Sequence, residues 1–498
     1  MEIANKEIIE NELKKIFYKD CKNILIINPP QITKEDFDVS VARLKNYPCF
    51  PPYGPGLLCR HLSNRGYKTD IIDLNFEVLL AANEEDNFEY SSWKNKLKEK
   101  LETFNPDLVG ISCMYSMSHK SLKEVSNFIK EVSPNLPIIA GGVHVSCAPE
   151  QVLNDCKSID IILLYEGDLS FPILLDHVNK SSKLEFFSIA MLIDGKYYAV
   201  YDRISPSGEI INLTPEYHNL KIEKYSALGK IGESRWLLPE GTKISSVLSN
   251  RGCRGDCQFC GVRTFNGAGV RTRSVKAVID EIELLKNKYG ILHIMWLDND
   301  LLFNKNRALE LFNEIIKRNL GITWNASNGV IAASIDDEIM KAISESGCTC
   351  LYIGIESGSP EILNYIKKPS GIKQFLKAGE CAKKYPEVFT KGFLMIGLPG
   401  ENIGQINKTL ELARQMELDW YAIQIYIPFP STPIAESLIK ENKFDNKKFI
   451  DGSTKFFVGG IGKQRQRENE EKLESRPFEN TLKKNTEYVP NEDELKDI

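Results

Sequence analysis

Three closely spaced cysteines constrain this chain more than any other feature of its sequence. Cys253, Cys257 and Cys260 stand at the spacing C-x3-C-x2-C, in a loop directly after the β-branched run 244–248. Soft thiolates select zinc or an iron–sulfur cluster. A structural zinc site normally closes with four protein ligands, whereas the next His or Cys along the chain is His293. The spacing therefore favours a cluster with one open iron over a closed zinc knuckle or a chance arrangement.

Composition indicates a folded protein rather than a disordered or membrane-spanning one. The chain has 498 residues, of which 42% are hydrophobic and 26% charged, so two or three domains with substantial cores are expected. The net charge of −5 offers no general attraction for nucleic acid, although it does not exclude a local basic patch. Residues 1–22 predict an amphipathic helix without a signal-peptide core, and no run of about 18 apolar residues occurs. We therefore expect a cytoplasmic protein without a membrane partner.

Cysteine usage fits a reducing compartment. Only three of the twelve cysteines show ligand spacing, and we expect the other nine to be buried as small hydrophobic residues.

Strands alternate with helical segments over residues 23–185, which predicts a doubly wound, Rossmann-like α/β domain. The segments 23–28, 68–73, 108–112, 137–140 and 159–164 are the expected strands, the last of them ending the sheet. In such sheets a ligand lies beyond the carboxyl ends of the strands. The candidate contacts there are Asn28, Pro29, Ser112, Tyr115, Ser116, Gly141, Gly142, His144, Glu166 and Gly167.

These strand ends suit a flat ligand. The Gly141-Gly142 pair lets a flat group approach the backbone, and Ser, Tyr and His side chains can bond to its rim. A simple strand-to-helix turn, with His144 as an ordinary loop residue, remains the alternative. Residues 186–240 follow as a linker or cap that contains a hairpin over 187–201.

A second series of six β/α units over residues 241–440 predicts a partial (β/α)6 barrel, whose site would lie at the carboxyl ends of its strands. The cysteine loop follows the first of these strands. Polar and apolar groups at the other ends can hold an amino group, ribose hydroxyls and an adenine, although Asp298 and Glu356 could instead cap helices. The candidate contacts are Phe259, Asp298, Asn325, Ser327, Glu356, Ser357 and Gly397.

At these residues the sequence resembles the radical S-adenosylmethionine (radical SAM) superfamily, in its cobalamin-binding, class B methyltransferase-like branch. The resemblance implies a [4Fe-4S] cluster on Cys253, Cys257 and Cys260, with S-adenosylmethionine on the open iron. It further implies cobalamin at the strand ends of the first domain. The D-x-H-x-x-G motif that supplies a cobalt ligand in many cobalamin proteins is absent, since 28–31 reads Asn-Pro-Pro-Gln. The lower face of cobalt is therefore expected to lack a protein histidine.

The implied activity is methylation of an unactivated carbon or phosphorus centre in a small-molecule or peptide substrate. It would use a 5′-deoxyadenosyl radical, methylcobalamin and an electron donor of the flavodoxin or ferredoxin type, with no catalytic residue beyond the cofactor ligands. One alternative is a cobalamin-dependent cyclase or rearrangement enzyme. Another is a methylthiotransferase with a second cluster on Cys21, Cys49 and Cys113. The last is a non-catalytic redox or ligand sensor. The C-terminal extension 441–498 is predicted to be a charged, partly helical tail without a nucleic-acid role.

Overall fold

Two sheets, one in each half of the chain, form the framework. The computed structural model describes residues 2–180, 185–217, 219–232 and 235–445. The predicted tail beyond residue 445 therefore lies outside the described residues.

The first sheet has seven strands in the order β2-β1-β3-β4-β5-β6-β7. Its strands are β1 (Asn23–Asn28), β2 (Lys68–Asp73), β3 (Leu108–Ser112), β4 (Ile138–Gly141), β5 (Ile161–Leu163), β6 (Ile189–Ile193) and β7 (Lys196–Val200). Its helices are α1 (Glu2–Ile16), α2 (Val39–Arg43), α3 (Tyr53–Ser63), α4 (Leu74–Glu84), α5 (Trp93–Phe104), α6 (His119–Val132), α7 (Val143–Cys147), α8 (Pro149–Asp155) and α9 (Gly167–Val178). Strands β1 to β5 are parallel, and the middle of β1 is buried, as helices on both faces of a parallel sheet require.

The expectation that 159–164 ends this sheet is wrong. The hairpin β6–β7 forms at its predicted place, with positive φ at Asp194 and Gly195, but β6 pairs antiparallel with β5 through Ile162 and Ala190. The sheet thus extends beyond the predicted boundary at residue 185. A hairpin's turn is encoded locally, whereas the strand that it joins depends on the apolar residues that β6 buries against the sheet.

The second sheet is parallel, has six strands in the order β15-β14-β13-β12-β11-β8, and confirms the predicted partial barrel. The strands of this half are β8 (Ile244–Val247), β9 (Asn250–Cys253), β10 (Gly269–Thr272), β11 (His293–Trp296), β12 (Thr323–Val330), β13 (Cys348–Glu356), β14 (Phe389–Ile396) and β15 (Trp420–Ile425). Its helices, after the linker helix α10 (Tyr225–Leu228), are α11 (Val262–Asn266), α12 (Val275–Tyr289), α13 (Lys305–Lys317), α14 (Asp337–Glu345), α15 (Pro360–Tyr365), α16 (Ile372–Ala382), α17 (Ile403–Met416) and α18 (Pro433–Lys440). Strands β9 and β10 form a separate antiparallel pair.

Buried side chains of the linker and of α3 bind the two halves together. The Arg273 guanidinium lies 2.5 Å from the Glu281 carboxylate, and both side chains are buried. Tyr217 of the linker and Tyr53 of α3 each donate a hydroxyl hydrogen bond to Glu281, at 2.7 and 3.2 Å. Residues of the first half, the linker and the barrel therefore share one buried polar cluster around Glu281.

Candidate active site

The cysteine loop begins on the β9–β10 pair, at the carboxyl edge of the barrel. Gly252 has a φ of +85°, and a Cβ there would lie 2.3 Å from the Gly269 carbonyl oxygen, so only glycine fits. Strand β9 ends at Cys253, and Cys257 and Cys260 follow in the loop, all three half-buried. The Gly255 amide donates to Cys253 Sγ at 3.3 Å. The cysteine loop thus runs from the end of β9 to the start of α11.

An ion pair anchors this loop to the end of β11. Arg254, between the first two cysteines, contacts Asp300 with its side chain at 3.0 Å and donates from its backbone amide at 3.2 Å. The Asp300 side chain is fully buried. The sequence shows both residues, but only the fold brings them together, so this contact was not predicted.

Burial raises the pKa of all three thiols of the loop. It raises the pKa of Cys253 to about 11, that of Cys257 to about 12, and also that of Cys260. Bound iron would displace those protons, because thiolates are the ligating form. The other nine cysteines are buried elsewhere. Three half-buried soft donors at one loop therefore fit a cluster with an open iron.

Glu356, a candidate SAM contact, lies at the carboxyl end of β13 in a strained backbone. Its φ is +67°, and the pairing with β14 shifts register between Gly354 and Glu356. Such conformations concentrate at functional sites. Lys368 Nζ lies 2.7 Å from Glu356 Oε1, and both side chains are nearly buried. Burial opposes the lysine charge, but the Glu356 carboxylate outweighs it and raises the pKa of Lys368.

Lys368 was missed in the sequence, because a lysine in a turn before proline is typical of the surface. We expect Lys368→Met to weaken SAM binding by the reconstituted protein about tenfold, since the Glu356 carboxylate would stay buried without its cation. Equilibrium dialysis with SAM measures this. The exposed Lys373 on α16 supplies the control, Lys373→Met, which should bind like the wild type. Equal affinities for the two variants would contradict the prediction.

Two other predicted SAM contacts are held by the protein itself. Both oxygens of Asp298 accept hydrogen bonds from Ser249, and burial raises the pKa of Asp298 to about 6. The Ser357 hydroxyl is fully buried between Thr409 and the Ser359 amide. Both therefore support neighbouring segments, and their role as ligand contacts stays a prediction.

The remaining predicted SAM contacts lie within β12, which continues past its predicted end at Asn325 to Val330, at the end of β14 and in the cysteine loop. Ser327 donates to Asn325 Oδ1 at 2.8 Å, and Asn325 donates to His293 at 2.9 Å. The Gly397 amide donates at 2.8 Å to Glu401 Oε2. Within the described residues, the buried Glu401 Oε1 has no hydrogen-bond partner, and burial raises the pKa of this carboxyl to about 7. An unpartnered buried oxygen of this kind fits a donor group on a ligand.

Aromatic rings line the cysteine loop. Phe259 packs against the barrel core, and a Cβ on Gly261 would lie 2.7 Å from the Phe429 ring. The loop beyond β15, which carries Phe429, therefore packs against Gly261, the residue after the third cysteine.

The carboxyl edge of the first sheet presents an apolar surface. Met114 and Tyr115 are 57% and 37% exposed, next to the end of β3. Gly142 has a φ of +110°, and a Cβ there would lie 2.5 Å from the Cys113 carbonyl oxygen, while a Cβ on Gly141 would meet only one backbone oxygen at 3.8 Å. Exposed apolar groups beside an open glycine fit a flat macrocycle such as a corrin ring.

The other candidates of this edge are partly held by the protein. Asn28 donates to Asp73 at 2.8 Å, and Pro29 is buried beside it. Ser112, at the end of β3, pairs in register with Gly141. Ser116 lies 3.0 Å from His144 Nδ1. No cobalt-ligating histidine motif stands at the end of β1, so a corrin here would lack that ligand.

Glu166 and its neighbour Gly167 were predicted as ligand contacts, but the structure places Glu166 between the two halves of the chain. Its carboxylate contacts Arg271 of β10 at 2.8 Å and Asn266 of α11 at 2.9 Å. Next to it, Arg251 of β9 forms two hydrogen bonds of 2.8 Å with Asp168. Arg251, Asp168 and Glu166 are each less than 10% exposed. The carboxyl edges of both sheets are thus joined directly beside the cysteine loop.

The second cluster of the methylthiotransferase alternative finds no support in the geometry. Cys21 precedes β1, while Cys113 follows the end of the neighbouring parallel strand β3. The register of β1 with β3 places Cys113 level with residue 29, so at about 3.3 Å per residue the two cysteines lie roughly 26 Å apart along the strands, too far to share one cluster. Both are buried, as is Cys49.

A parallel-sheet domain joined to a partial barrel with a three-cysteine loop defines a class of radical enzymes, and comparisons with known proteins identify the family. The sequence matches the Radical SAM superfamily over residues 247–413 and the B12 binding domain over residues 39–175. It is 31% identical to an uncharacterized methyltransferase of Pyrococcus horikoshii, over 69% of this chain and 71% of the relative. The chain belongs to the radical SAM superfamily, in the branch that carries a B12-binding domain.

Two further matches span most of the chain. The sequence is 26% identical to the cytidylyl-2-hydroxyethylphosphonate methyltransferase of Streptomyces wedmorensis, over 81% of this chain and 80% of that protein. The fold resembles that of the radical S-adenosylmethionine methyltransferase TsrM from Kitasatospora setae, with a TM-score of 0.66, 17% identity, and coverage of 84% of this chain and 78% of TsrM. Among the described residues, no helix is long and apolar enough to cross a bilayer.

Proposed function

We propose that this enzyme is a cobalamin-dependent radical SAM methyltransferase acting on an unactivated carbon or phosphorus centre of a small-molecule or peptide substrate. One observation carries the proposal. Arg251, two residues before the first cysteine of the loop, forms a buried bidentate ion pair with Asp168, at the strand-end edge of the B12-binding domain. Two cofactors held at those edges would face a common space, as the transfer of a methyl group from one to a substrate activated by the other requires.

Cys253, Cys257 and Cys260 hold a [4Fe-4S] cluster, and the edge with Met114, Tyr115 and the two glycines holds cobalamin. When bound, the cluster supplies the electron that cleaves SAM and cobalamin carries the methyl group.

The ends of β13 and β14 bind SAM. Lys368 holds the Glu356 carboxylate in place through its 2.7 Å contact. Glu401 orders the Gly397 turn through its amide. The rings of Phe259 and Phe429 keep water from the cysteine loop. Radical chemistry requires no nucleophile or general base from the chain, and none is assigned. We place the enzyme in the cytoplasm, with a reduced flavodoxin- or ferredoxin-like protein as electron donor.

Anaerobic reconstitution tests this assignment before a substrate is known. The favoured function predicts about four irons and one cobalamin per chain. With a strong reductant and SAM labelled in its methyl group, S-adenosylhomocysteine should form and the label should appear on extracted cobalamin, alongside slow release of 5′-deoxyadenosine.

Each alternative gives a different result. About eight irons without cobalt would favour the methylthiotransferase. Formation of 5′-deoxyadenosine without S-adenosylhomocysteine would favour a cyclisation or rearrangement. A protein that binds both cofactors but consumes no SAM under reducing conditions would be a sensor.

A further inference from the structure

Four side chains form a hydrogen-bonded row behind the carboxyl edge of the first sheet. Ser116 Oγ lies 3.0 Å from His144 Nδ1, and His144 Nε2 lies 2.9 Å from His119 Nδ1. His119 Nε2 in turn lies 3.0 Å from Asp155 Oδ2. The two histidines are 1% and 2% exposed. We call these four residues the Ser116–Asp155 row.

The carboxylate fixes the direction of every hydrogen bond in the row. Asp155 also contacts Lys123 at 2.9 Å; burial opposes its charge, but Lys123 and His119 outweigh it and lower the pKa of Asp155. An ionised carboxylate can only accept, so His119 carries its proton on Nε2. Burial lowers the pKa of both histidines, that of His144 to about 3, which leaves each ring neutral with one bare nitrogen.

The remaining protons follow from these two facts. His119 Nδ1 is bare and accepts from His144 Nε2–H. His144 Nδ1 is then bare and accepts from the Ser116 hydroxyl. The hydroxyl proton of Ser116 therefore points toward His144, and the lone pairs of the Ser116 oxygen can accept a hydrogen bond from a group outside the row. Ser116 is half-buried and directly follows the exposed Met114 and Tyr115, so those lone pairs lie at the ligand edge.

We propose that Ser116 is a cobalamin contact that accepts a hydrogen bond from a carboxamide N–H on the rim of the corrin, and that His144, His119 and Asp155 are positioning residues that hold its hydroxyl in this polarity. This rests on the proposed function. A corrin rim carries primary carboxamides, whose N–H groups need acceptors when they are buried against protein. A serine hydroxyl free to rotate would offer them a donor as readily as an acceptor.

A metal ion is the competing occupant of the inner end of the row. Ligand atoms of His119, Asp155 and Cys156 lie within 4.8 Å of one another. A metal on His119 Nε2 would move the ring proton to Nδ1 and reverse the row, so that Ser116 would accept from His144. The two arrangements therefore differ in the tautomer of His119, which can be observed directly.

Titration of the apo protein with hydroxocobalamin, followed by absorbance, tests the contact. We expect Ser116→Ala to bind about tenfold more weakly than the wild type, as loss of one hydrogen bond implies. Asp155→Asn can donate to His119 Nε2 and so permits the reversed row; it should weaken binding by a similar factor. The double variant should bind no more weakly than Ser116→Ala alone, because Asp155 acts only through Ser116. Asp160→Asn, at the opposite edge of the sheet and paired with Lys130, should bind like the wild type.

Nitrogen-15 NMR of histidine-labelled apo protein gives a readout without cofactor. The wild type should show the Nε2–H tautomer for His119 and His144, with a shift toward Nδ1–H in Asp155→Asn. Wild-type affinity in Ser116→Ala, additive losses in the double variant, or stoichiometric zinc with an Nδ1–H tautomer at His119 would each overturn the proposal. Failure of the wild type to bind cobalamin would overturn the proposed function as well.

Discussion

Replacing Cys257 by alanine is expected to abolish formation of 5′-deoxyadenosine from SAM. Cys257 is the middle donor of the three-cysteine loop, and two remaining thiolates would leave a second iron of the cluster without a protein ligand. The variant should therefore lose the broad visible absorbance of an iron–sulfur cluster together with the activity. Iron content, absorbance and chromatographic detection of 5′-deoxyadenosine after reduction with dithionite measure both effects.

Cys381→Ala is the matched control. Cys381 lies buried on α16, outside the loop, so its loss removes one thiol and leaves the proposed ligands intact. This variant should keep about four irons and produce 5′-deoxyadenosine. Production of 5′-deoxyadenosine by Cys257→Ala would mean that the cluster is held elsewhere in the chain.

Arg251→Met is expected to destabilise the contact between the two halves by about 3–5 kcal/mol, the usual cost of removing one member of a buried ion pair. It would leave Asp168 and Glu166 buried without the guanidinium that now lies 2.8 Å from Asp168. Because a chain of this size need not unfold in one step, the sharper measurement is hydrogen exchange. Amides of β9 and β10 should exchange faster in the variant.

Arg318→Met provides the control, since Arg318 forms surface ion pairs with Glu314, Glu283 and Asp280, and exposed pairs of this kind contribute little to stability. The effect of Arg251→Met should also depend on pH. Burial opposes the charge of Asp168, but Arg251 and His61 outweigh it and hold its pKa far below the usual value. Its stabilising contribution is present above the ordinary pKa near 3.9 and lost as pH falls below it, so the difference from wild type should shrink in acid. A pH-independent difference would contradict this origin.

Local pattern predicts most of the framework. The strands predicted at 23–28, 68–73 and 108–112 match β1, β2 and β3 residue for residue, since each is a short segment set between helical segments and turns. The small β9–β10 sheet was not predicted, because Asn-Arg-Gly-Cys and Gly-Val-Arg-Thr carry no strand periodicity. The pairing of β6 with β5 was not predicted for a different reason. A local sequence pattern indicates a hairpin, but it does not indicate which strand of the sheet the hairpin will pair with.

The site divides in the same way. The spacing of the three cysteines is local, and the sequence therefore predicts the loop. Arg254 and Asp300 follow different strands, and Lys368 lies in the turn after α15, beyond Glu356 at the end of β13. Both contacts therefore depend on tertiary packing. Glu166 shows the opposite case: its place at a strand end indicated a ligand contact, whereas its carboxylate lies against Arg271.

That contact also limits how this architecture can be recombined. The hairpin of β9 and β10 belongs to the barrel half by sequence, but it presents Arg251 and Arg271 to carboxylates of the first domain. A chimera joined at the linker, with the first domain of one relative and the barrel of another, would place these arginines against foreign side chains. If the first domain of the chimera lacks acidic residues at positions 166 and 168, the first domain has to be exchanged together with residues 250–272, which comprise β9, the cysteine loop, α11 and β10.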